Sequence, residues 1–317
     1  MKHLLFRLCF VLFFLLLMLY PQTTVSGAST GLLLWFHSII PSLLPFMILS
    51  NLLVALNGIS LFTKLLYPFT SHLFGISEQG SYALLTGFVC GYPMGAKTCA
   101  DLLSKKQISR EEAQYLLCFA NNPGPSFLSG YILQNVLKNH FAAPPFFLSV
   151  YGAPLIFAAI LHLFGKRRPK KEGGTPPFSP FLSSEGLDFG MVDRAIMNGF
   201  ETVTRLGGYI ILFSILSAFL MKPEWISLPI KALLLSVAEI TTGSYFIGSS
   251  SLFHSAAGQG MAICACISFG GLSGIFQTKS VIRSTSLSLL PYMGSKLIIS
   301  LLSAILYLCI CLCANVL

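Results

Sequence analysis

The stretch SYALLTGFVCGYPMGAKTCADLLS, residues 81–104, combines a membrane-length apolar run with a Gly-Tyr-Pro interruption near its centre. A crossing of about 30 Å of hydrocarbon takes roughly 20 apolar residues, so this run is long enough. Gly91 and Pro93 interrupt the helix, because glycine is flexible and proline lacks a backbone N–H. Unwound backbone survives inside a membrane only where protein surrounds it or a wet cavity borders it. The stretch therefore predicts a broken membrane helix beside a cavity.

The composition of the whole chain also indicates a membrane protein. Of its 317 residues, 54% are hydrophobic and only 10% are charged, whereas about a quarter of the residues in a typical soluble domain are charged. A soluble protein of this size could not hide so much apolar surface. We predict an all-α polytopic membrane protein with about eight to ten membrane segments.

Apolar runs recur along the chain, at Leu4–Tyr20, Gly31–Leu56, Gly58–Ile76, Ser81–Ser104, Ala113–Leu137, Ala143–Phe164, Ala195–Met221, Pro229–Ile247, Ala256–Phe276 and Leu287–Val316. The first run is interpreted as a retained span with the N-terminus inside. A cleaved signal peptide is the alternative, because Ser26-Gly27-Ala28 is a weak cleavage pattern. Breaks are expected at Asn121–Pro125, and at Pro291 with Gly294-Ser295-Lys296 in the last run.

A basic, proline-rich and glycine-rich linker separates two halves. The net charge is +9, and the linker opens with Lys-Arg-Arg-Pro-Lys-Lys at residues 166–171. Excess Lys and Arg in a loop place that loop in the cytoplasm. The predicted organisation is an N-terminal span at 1–26, a first repeat at 27–165, the cytoplasmic linker at 166–188 and a second repeat at 189–317.

The two halves show the same order of features. Each has a span entered at glycine, a short segment preceded by a lysine, and a glycine-broken helix followed by a lysine. With the N-terminus inside, the first half starts outside, whereas the second half starts inside after the linker. The halves are therefore predicted to be inverted repeats, an arrangement that puts a substrate site near the midplane.

Lys97 and Lys279 stand just past the two glycine breaks. A charge at the centre of a membrane helix costs about 3 kcal/mol, so such residues usually face a cavity, a partner or a ligand. If a pseudo-two-fold axis relates the halves, the two lysines lie close to one central cavity. The alternative is that each lysine reaches the lipid headgroups along its own apolar stem.

Glu239 is an isolated acid in an apolar segment, followed by the hydroxyls of Thr241 and Thr242. It is a candidate for a gate or a coupling-ion contact, and a helix-end carboxylate is the alternative. Asn121 and Asn122 supply amide donors and acceptors where their helix opens. A helix that restarts after such a break presents free N–H groups and positive dipole, which suit an anion.

No catalytic or cofactor motif accompanies these residues. The sequence has no His-Glu-x-x-His or Walker-type loop, and its nine cysteines form no Cys-x-x-Cys pair. We expect neither an enzyme nor a bound metal or other cofactor. The basic residues form no stripe with interleaved aromatics, so no nucleic-acid partner is expected.

Five stretches carry a family resemblance: Trp35–Pro45, GYPMGAK at Gly91–Lys97, NNPGP at Asn121–Pro125, EITTG at Glu239–Gly243, and FGGLS at Phe269–Ser273 with Gln277. With them, the chain resembles the YlbJ (SpoVV) sporulation integral membrane proteins over nearly its whole length. The resemblance implies two nucleoside-recognition (Gate-type) repeats and a fold similar to that of concentrative nucleoside transporters. The repeat name describes a fold and does not establish a nucleoside substrate.

The resemblance further implies a role in endospore formation. Its members act in the outer forespore membrane, in the delivery of dipicolinic acid from the mother cell toward the forespore. Dipicolinate is a flat pyridine dianion, so lysines and helix breaks suit its carboxylates and Tyr92 suits its ring. Transport of a nucleoside or another small organic solute stays open, as does a non-transporting scaffold of a sporulation membrane complex.

The expected partners are a small-molecule anion and the lipid bilayer, with a homo-oligomer or other sporulation membrane proteins as further candidates. The predicted substrate-binding residues are Gly91, Tyr92, Pro93, Gly95, Lys97, Thr98, Asn121, Asn122, Glu239, Thr241, Thr242, Gly270, Gly271, Ser273, Gln277 and Lys279.

Overall fold

The structure, a computed structural model, describes residues 2–56, 58–138, 141–165 and 189–313. Every regular element in these ranges is a helix. This confirms the all-α fold class. The linker 166–188 lies outside the described residues, and the predicted boundary at residue 26 falls inside the second helix.

The first half contains eight α-helices and two π-helical segments within the described residues. They are α1 Lys2–Leu19, α2 Pro21–Leu34, π1 Trp35–Ile39, α3 Ile40–Ala55, α4 Gly58–Phe74, α5 Glu78–Cys90, α6 Met94–Ser104, α7 Arg110–Ala120, π2 Phe127–Val136 and α8 Ala143–Phe164. The second half follows as α9 Phe189–Met221, α10 Leu228–Ala238, α11 Ile240–Ser249, α12 Ala256–Phe269, α13 Gly271–Ile282 and α14 Leu289–Cys313.

Four helical stretches in the described part are long and apolar enough to cross a membrane. They are α8, α9, α12 with α13, and α14. A fifth span results if the end of α1 is counted together with α2 and π1, which are bent by 101° at their junction. The sequence predicted eight to ten membrane segments, more than the four or five helical stretches of spanning length. The other apolar runs form shorter helices, and several of these meet at breaks.

Helices α5 and α6 form a hairpin, hairpin 1, whose tip is Gly91-Tyr92-Pro93. Gly91 ends α5 because its φ of +76° suits glycine, and the Tyr92–Pro93 peptide bond is cis. The two legs touch at small residues, since a Cβ added to Gly87 would lie 3.0 Å from the Gly95 Cα atom. The predicted break in residues 81–104 is therefore confirmed, and it is a point where the chain reverses.

Helices α10 and α11 form a second hairpin, hairpin 2, with Glu239 at its tip. A Cβ added to Gly243 would lie 2.6 Å from the Ser236 Cα atom, so the legs pack closely. The sequence did not predict this reversal, because neither glycine nor proline stands at residues 238–240. Glu239 instead has extended backbone, with φ −155° and ψ 132°.

Two further helices are broken without reversing. The first is α7 followed by π2, interrupted at Asn121–Gly124, and the second is α12 followed by α13, interrupted at Gly270. Gly270 has φ +88°, a left-handed conformation that glycine adopts without steric cost. Both breaks were predicted from the sequence.

The predicted interruption of the last apolar run is wrong, because α14 is a continuous helix from Leu289 to Cys313. Pro291 is the third residue of this helix. In the first turn a backbone N–H has no intrahelical acceptor, so proline does not break the helix there. Lys296 consequently lies on a regular helix.

The loops before α5, α7 and α14 lie together on one face of the molecule. The Ser77 N–H donates to Glu112 Oε1 over 2.6 Å, and Arg110 Nε donates to the Ser286 carbonyl oxygen over 3.3 Å. We call this side the basic face. Both ends of hairpin 1 lie on it.

Helix α8 ends on the basic face, where the His162 ring lies against Gly75. The chain continues from there into residues 166–188. The cytoplasmic location of residues 166–188 stays a prediction.

Hairpin 2 starts and ends on the opposite face. Lys231 Nζ donates to the Met221 carbonyl oxygen over 2.8 Å at the end of α9. Gln259 Nε2 donates to the Gly248 carbonyl oxygen over 3.1 Å at the other leg. Helix α9 has 33 residues, about 50 Å at 1.5 Å per residue, so it connects the two faces.

Helix α9 packs along its length against the α2, π1 and α3 segment. Gly27 approaches Ile215 near the opposite face, Trp35 Nε1 donates to the Val203 carbonyl oxygen over 2.8 Å, and Asn51 lies beside α9 near its start. The two segments are therefore antiparallel. Residues of α3 and α9 also line the central cavity described below.

Helix packing at hairpin 1 predicts a large effect of one methyl group. A Cβ added to Gly87 would lie 1.8 Å from the Ala120 carbonyl oxygen, so Gly87→Ala should destabilise the fold by about 1–3 kcal/mol or more. The control is Gly294→Ala in α14, where a Cβ meets no atom within 4 Å. The control should be neutral or stabilising by up to about 1 kcal/mol. Thermal unfolding in detergent measures both, and equal melting temperatures would contradict the packing.

Topology predicts one-sided labelling of single cysteines. In a variant without the nine native cysteines, Ser284→Cys on the basic face should react with a membrane-impermeant maleimide only from the cytoplasmic side. A cysteine within residues 166–188 should behave in the same way. Glu224→Cys, beyond α9, should react only from the other side. Equal labelling of all three positions would contradict this arrangement.

Candidate functional site

A cavity of about 1130 Å³ extends from the helix breaks toward the basic face. Its inner end lies between the hairpin tips and the start of α13. Its walls come from α6, α9 and α13, and they include Lys105, directly after α6, and Ser280 on α13, which lie near the basic face. A solute could thus reach the helix breaks from the predicted cytoplasmic side.

The structure brings many of the sequence-predicted site residues to this cavity. Those that line it are Tyr92, Pro93, Lys97, Thr98, Glu239, Thr241, Gly270, Ser273 and Gln277. The others contribute no wall to this cavity: Gly91, Gly95, Asn121, Asn122, Thr242, Gly271 and Lys279.

Tyr92 lies where hairpin 1 meets the start of α13. A Cβ added to Gly270 would be 2.9 Å from the Tyr92 hydroxyl oxygen, so only glycine leaves room for this contact. The hydroxyl oxygen is buried, and in the described part of the chain it has no hydrogen-bond partner. A buried donor without a partner is costly in a folded protein, so the hydroxyl group is available to a bound polar atom.

The N-terminus of α13 lies in the same region, beside the Tyr92 hydroxyl. Gly270 precedes the helix, and no side chain caps it. The first N–H groups of a helix have no intrahelical acceptor, and the helix dipole adds partial positive charge. Ser273 of this first turn and Gly274 both line the cavity. The arrangement suits a carboxylate or another small anion.

Glu239 is fully buried at the tip of hairpin 2 and caps α11. One carboxylate oxygen accepts from the Thr242 N–H over 2.8 Å, and the other accepts from the Thr241 hydroxyl over 2.7 Å. These donors and the helix dipole stabilise the carboxylate. This geometry fits the helix-end alternative, and the residue also lines the cavity.

Asn121 connects the break of α7 to three other elements. Its side-chain oxygen accepts from the Ala96 N–H over 3.3 Å, and its nitrogen donates to Thr278 Oγ1 over 3.0 Å and to the Tyr292 hydroxyl over 3.1 Å. Asn121 therefore joins hairpin 1, α13 and α14 behind the cavity wall.

Lys296 is a buried cation that the sequence analysis did not select. Its side chain is 0% exposed, and Nζ donates to Asn122 Oδ1 over 3.0 Å. The same nitrogen lies 5.1 Å from the ring centre of Tyr92 and 5.7 Å from that of Tyr292. The available signal was a single lysine inside a 25-residue apolar helix, which we had interpreted as part of an interruption.

The two lysines predicted to act together lie in different environments. Lys97 is exposed and lines the cavity together with Asp101, one helical turn away. Lys279 is also exposed, but it is absent from the cavity wall. The structure therefore does not bring the two ammonium groups together at the cavity. Arg205 and Glu201, four residues apart on α9, form an ion pair in the cavity wall.

Metal ligation is not apparent in the described ranges. No group of three His, Cys, Asp or Glu side chains there is close enough to hold a metal ion. The polar chemistry of the cavity instead consists of hydroxyls, amides, helix termini and single charges.

These features define an integral membrane protein of the all-helical class, with two hairpins and two broken helices that meet at a central cavity. The chain is 26% identical to the sporulation integral membrane protein YlbJ of Bacillus subtilis (strain 168) over 319 aligned residues. The alignment covers 90% of this chain and 77% of the relative. No family model matches the chain, and no solved structure matches it.

The similarity supports the resemblance to the YlbJ proteins, and the relative's name describes that protein as a sporulation integral membrane protein. The nucleoside-recognition repeats stay a prediction.

Hairpin 2 predicts different effects for two Glu→Gln changes. Glu239→Gln replaces one acceptor with an NH₂ group beside a donor, so it should destabilise the protein by about 1–3 kcal/mol. The control is Glu201→Gln, which loses an exposed pair to Arg205 and should cost at most about 1 kcal/mol. Thermal unfolding in detergent is the measurement. An equal or larger loss in the control would contradict the assigned role of Glu239.

Proposed function

We propose that this protein transports a small anionic metabolite across a sporulation membrane, with dipicolinate as the substrate. The observation that carries the proposal is the inner end of the cavity. There the uncapped N-terminus of α13 lies beside Tyr92, a residue of the cavity wall whose buried hydroxyl has no hydrogen-bond partner in the described part of the chain. Free N–H groups, a hydroxyl donor and positive dipole are the groups that bind a carboxylate.

Dipicolinate fits the chemistry of this space. It is a flat aromatic dianion, so one carboxylate can bind at the α13 N-terminus and its ring can contact aromatic and apolar side chains. The second carboxylate would face the wall that carries Lys97 and Thr98. The cavity volume of about 1130 Å³ also accommodates water around such a small solute.

The arrangement of the helices supports an alternating-access mechanism. Hairpin 1 starts on the basic face and hairpin 2 on the opposite face, and each tip contacts a broken helix. We propose that the halves 27–165 and 189–317 are inverted Gate-type repeats, as in transporters that bind substrate at discontinuous helices near the midplane. Movement of the hairpins would then expose the site to one face at a time.

The membrane potential can drive such transport. An inside-negative potential favours the exit of an anion by about 2.3 kcal/mol per charge per 100 mV, which doubles for a dianion. We propose export from the mother cell across the outer forespore membrane, without a required coupling ion. No covalent chemistry or cofactor enters this mechanism.

Complementation tests the function in cells. In a Bacillus subtilis strain that lacks its YlbJ protein, production of this chain should raise the dipicolinate content of the spores relative to the empty strain. Purified protein in liposomes should admit dipicolinate, detected by trapped terbium luminescence. A non-transporting scaffold would give no dipicolinate uptake in liposomes, and its effect on the spores would not depend on the cavity residues. A nucleoside carrier would admit labelled nucleoside in place of dipicolinate.

A cavity lysine provides the matched variant. Lys97→Met keeps the apolar stem and deletes the charge, so dipicolinate uptake into liposomes should fall about three- to tenfold at unchanged protein level. The control is Lys222→Met, an exposed lysine on the opposite face beside Tyr20. Uptake by the control should match that of the wild type. Equal uptake by all three proteins would exclude Lys97 from the anion path.

A further inference from the structure

The ammonium group of Lys296 has only neutral neighbours. It donates to the Asn122 amide oxygen and faces the rings of Tyr92 and Tyr292. Across the described residues, no carboxylate lies within ion-pair distance of it. The side chain is fully buried, so solvent does not screen it. In its protonated form this group is stabilised by an amide dipole and two aromatic faces, which do not balance its charge.

The other charges near the cavity have opposite charges or donors beside them. Arg205 is paired with Glu201, and Lys97 shares its helix face with Asp101. The Glu239 carboxylate accepts two hydrogen bonds at a helix N-terminus. Lys296 is therefore the buried charge whose field is compensated least within the described site.

Tyr92 connects this charge to the cavity. One face of its ring lies toward Lys296 Nζ, and its hydroxyl oxygen lies at Gly270, beside the free end of α13. The ammonium group does not line the cavity, so a solute does not touch it. Its field nevertheless reaches the inner end, because Coulomb interactions fall off slowly in a medium of low dielectric constant.

We propose that Lys296 is the fixed charge that makes this site select anions, acting through Tyr92 on a carboxylate at the α13 N-terminus. The inference rests on the proposed function and names its specificity-determining residue. Lys296 is a positioning residue, since it touches the wall of the site and not the solute.

The test compares two solutes of one shape. Dipicolinate is the dianion, and pyridine-2,6-dicarboxamide is its neutral analogue. Uptake of both into liposomes is measured for the full-length wild type and for Lys296→Met, which keeps the stem length without the charge. We expect the wild type to favour the dianion and the dianion-to-diamide ratio to fall about tenfold or more in the variant.

The matched control is Lys231→Met. Lys231 is also buried and donates to a neutral backbone oxygen, but it lies on hairpin 2 near the opposite face and away from the cavity. Its replacement should leave the dianion-to-diamide ratio unchanged even where the protein becomes less stable.

Chemical rescue separates the charge from its packing. Lys296→Ala removes the three methylenes and the ammonium group that n-propylammonium contains. Addition of n-propylammonium should restore the dianion preference of Lys296→Ala, and equimolar n-propanol, which has the same number of heavy atoms, should not. Rescue by both compounds alike would show that the volume matters and would overturn the proposal.

The outcomes distinguish the two claims. A wild type that takes up no dicarboxylate, or that has no preference for it, would overturn the proposed anion transport together with the inference. A wild type that prefers the dianion, beside a Lys296→Met variant with the same preference, would overturn the role of Lys296 alone.

Discussion

The hydrogen bonds of the Asn121 side chain hold the centre of this protein together. In an apolar surrounding, each backbone group released by a helix break needs a partner, and an unsatisfied group costs several kcal/mol. Asn121 accepts the Ala96 N–H at the start of α6 and donates to hydroxyls of α13 and α14. One side chain therefore connects hairpin 1 in the first half with α13 and α14 in the second half. The cavity, the tyrosine at its inner end and the buried lysine depend on this connection.

Close backbone contacts provide the second condition for this centre. Gly87 and Gly95 lie against the Ala120 carbonyl oxygen, and Gly271 lies against Glu239. The first pair lets the legs of hairpin 1 rest on α7, and the last contact lets α13 begin beside hairpin 2. In both halves, glycine therefore lies at the contact between a hairpin and a broken helix. Any side chain there would separate the elements that form the inner end of the cavity.

The sequence predicted the helix breaks of this centre that lie at glycine or proline residues. The breaks at Gly91-Tyr92-Pro93, at Asn121–Gly124 and at Gly270 follow from residues that end helices locally. The tip at Glu239 was missed, because its extended backbone is imposed by tertiary packing and a carboxylate cap. At Pro291 the sequence predicted an interruption that the structure does not have. Proline breaks a helix only in its interior, and Pro291 lies in the first turn of α14.

The pairing of distant side chains was beyond sequence reasoning. A lysine followed each glycine break, which suggested that Lys97 and Lys279 share a cavity, but only Lys97 lines it. Lys296 had no motif, and its importance depends on Asn122 and Tyr92, more than 170 residues away along the chain. Local patterns indicate where helices end, whereas the partners of a buried charge depend on how those helices pack.

The depth of the cavity also changes where the membrane voltage acts. Water that fills the space as far as the hairpin tips carries the potential of the basic face inward to Tyr92 and Gly270. The remaining layer around hairpin 2 insulates the two sides there, and its leg α11 has ten residues, or about 15 Å. The hydrocarbon core is about 30 Å thick. The voltage gradient across this layer is therefore about twice that across the surrounding lipid.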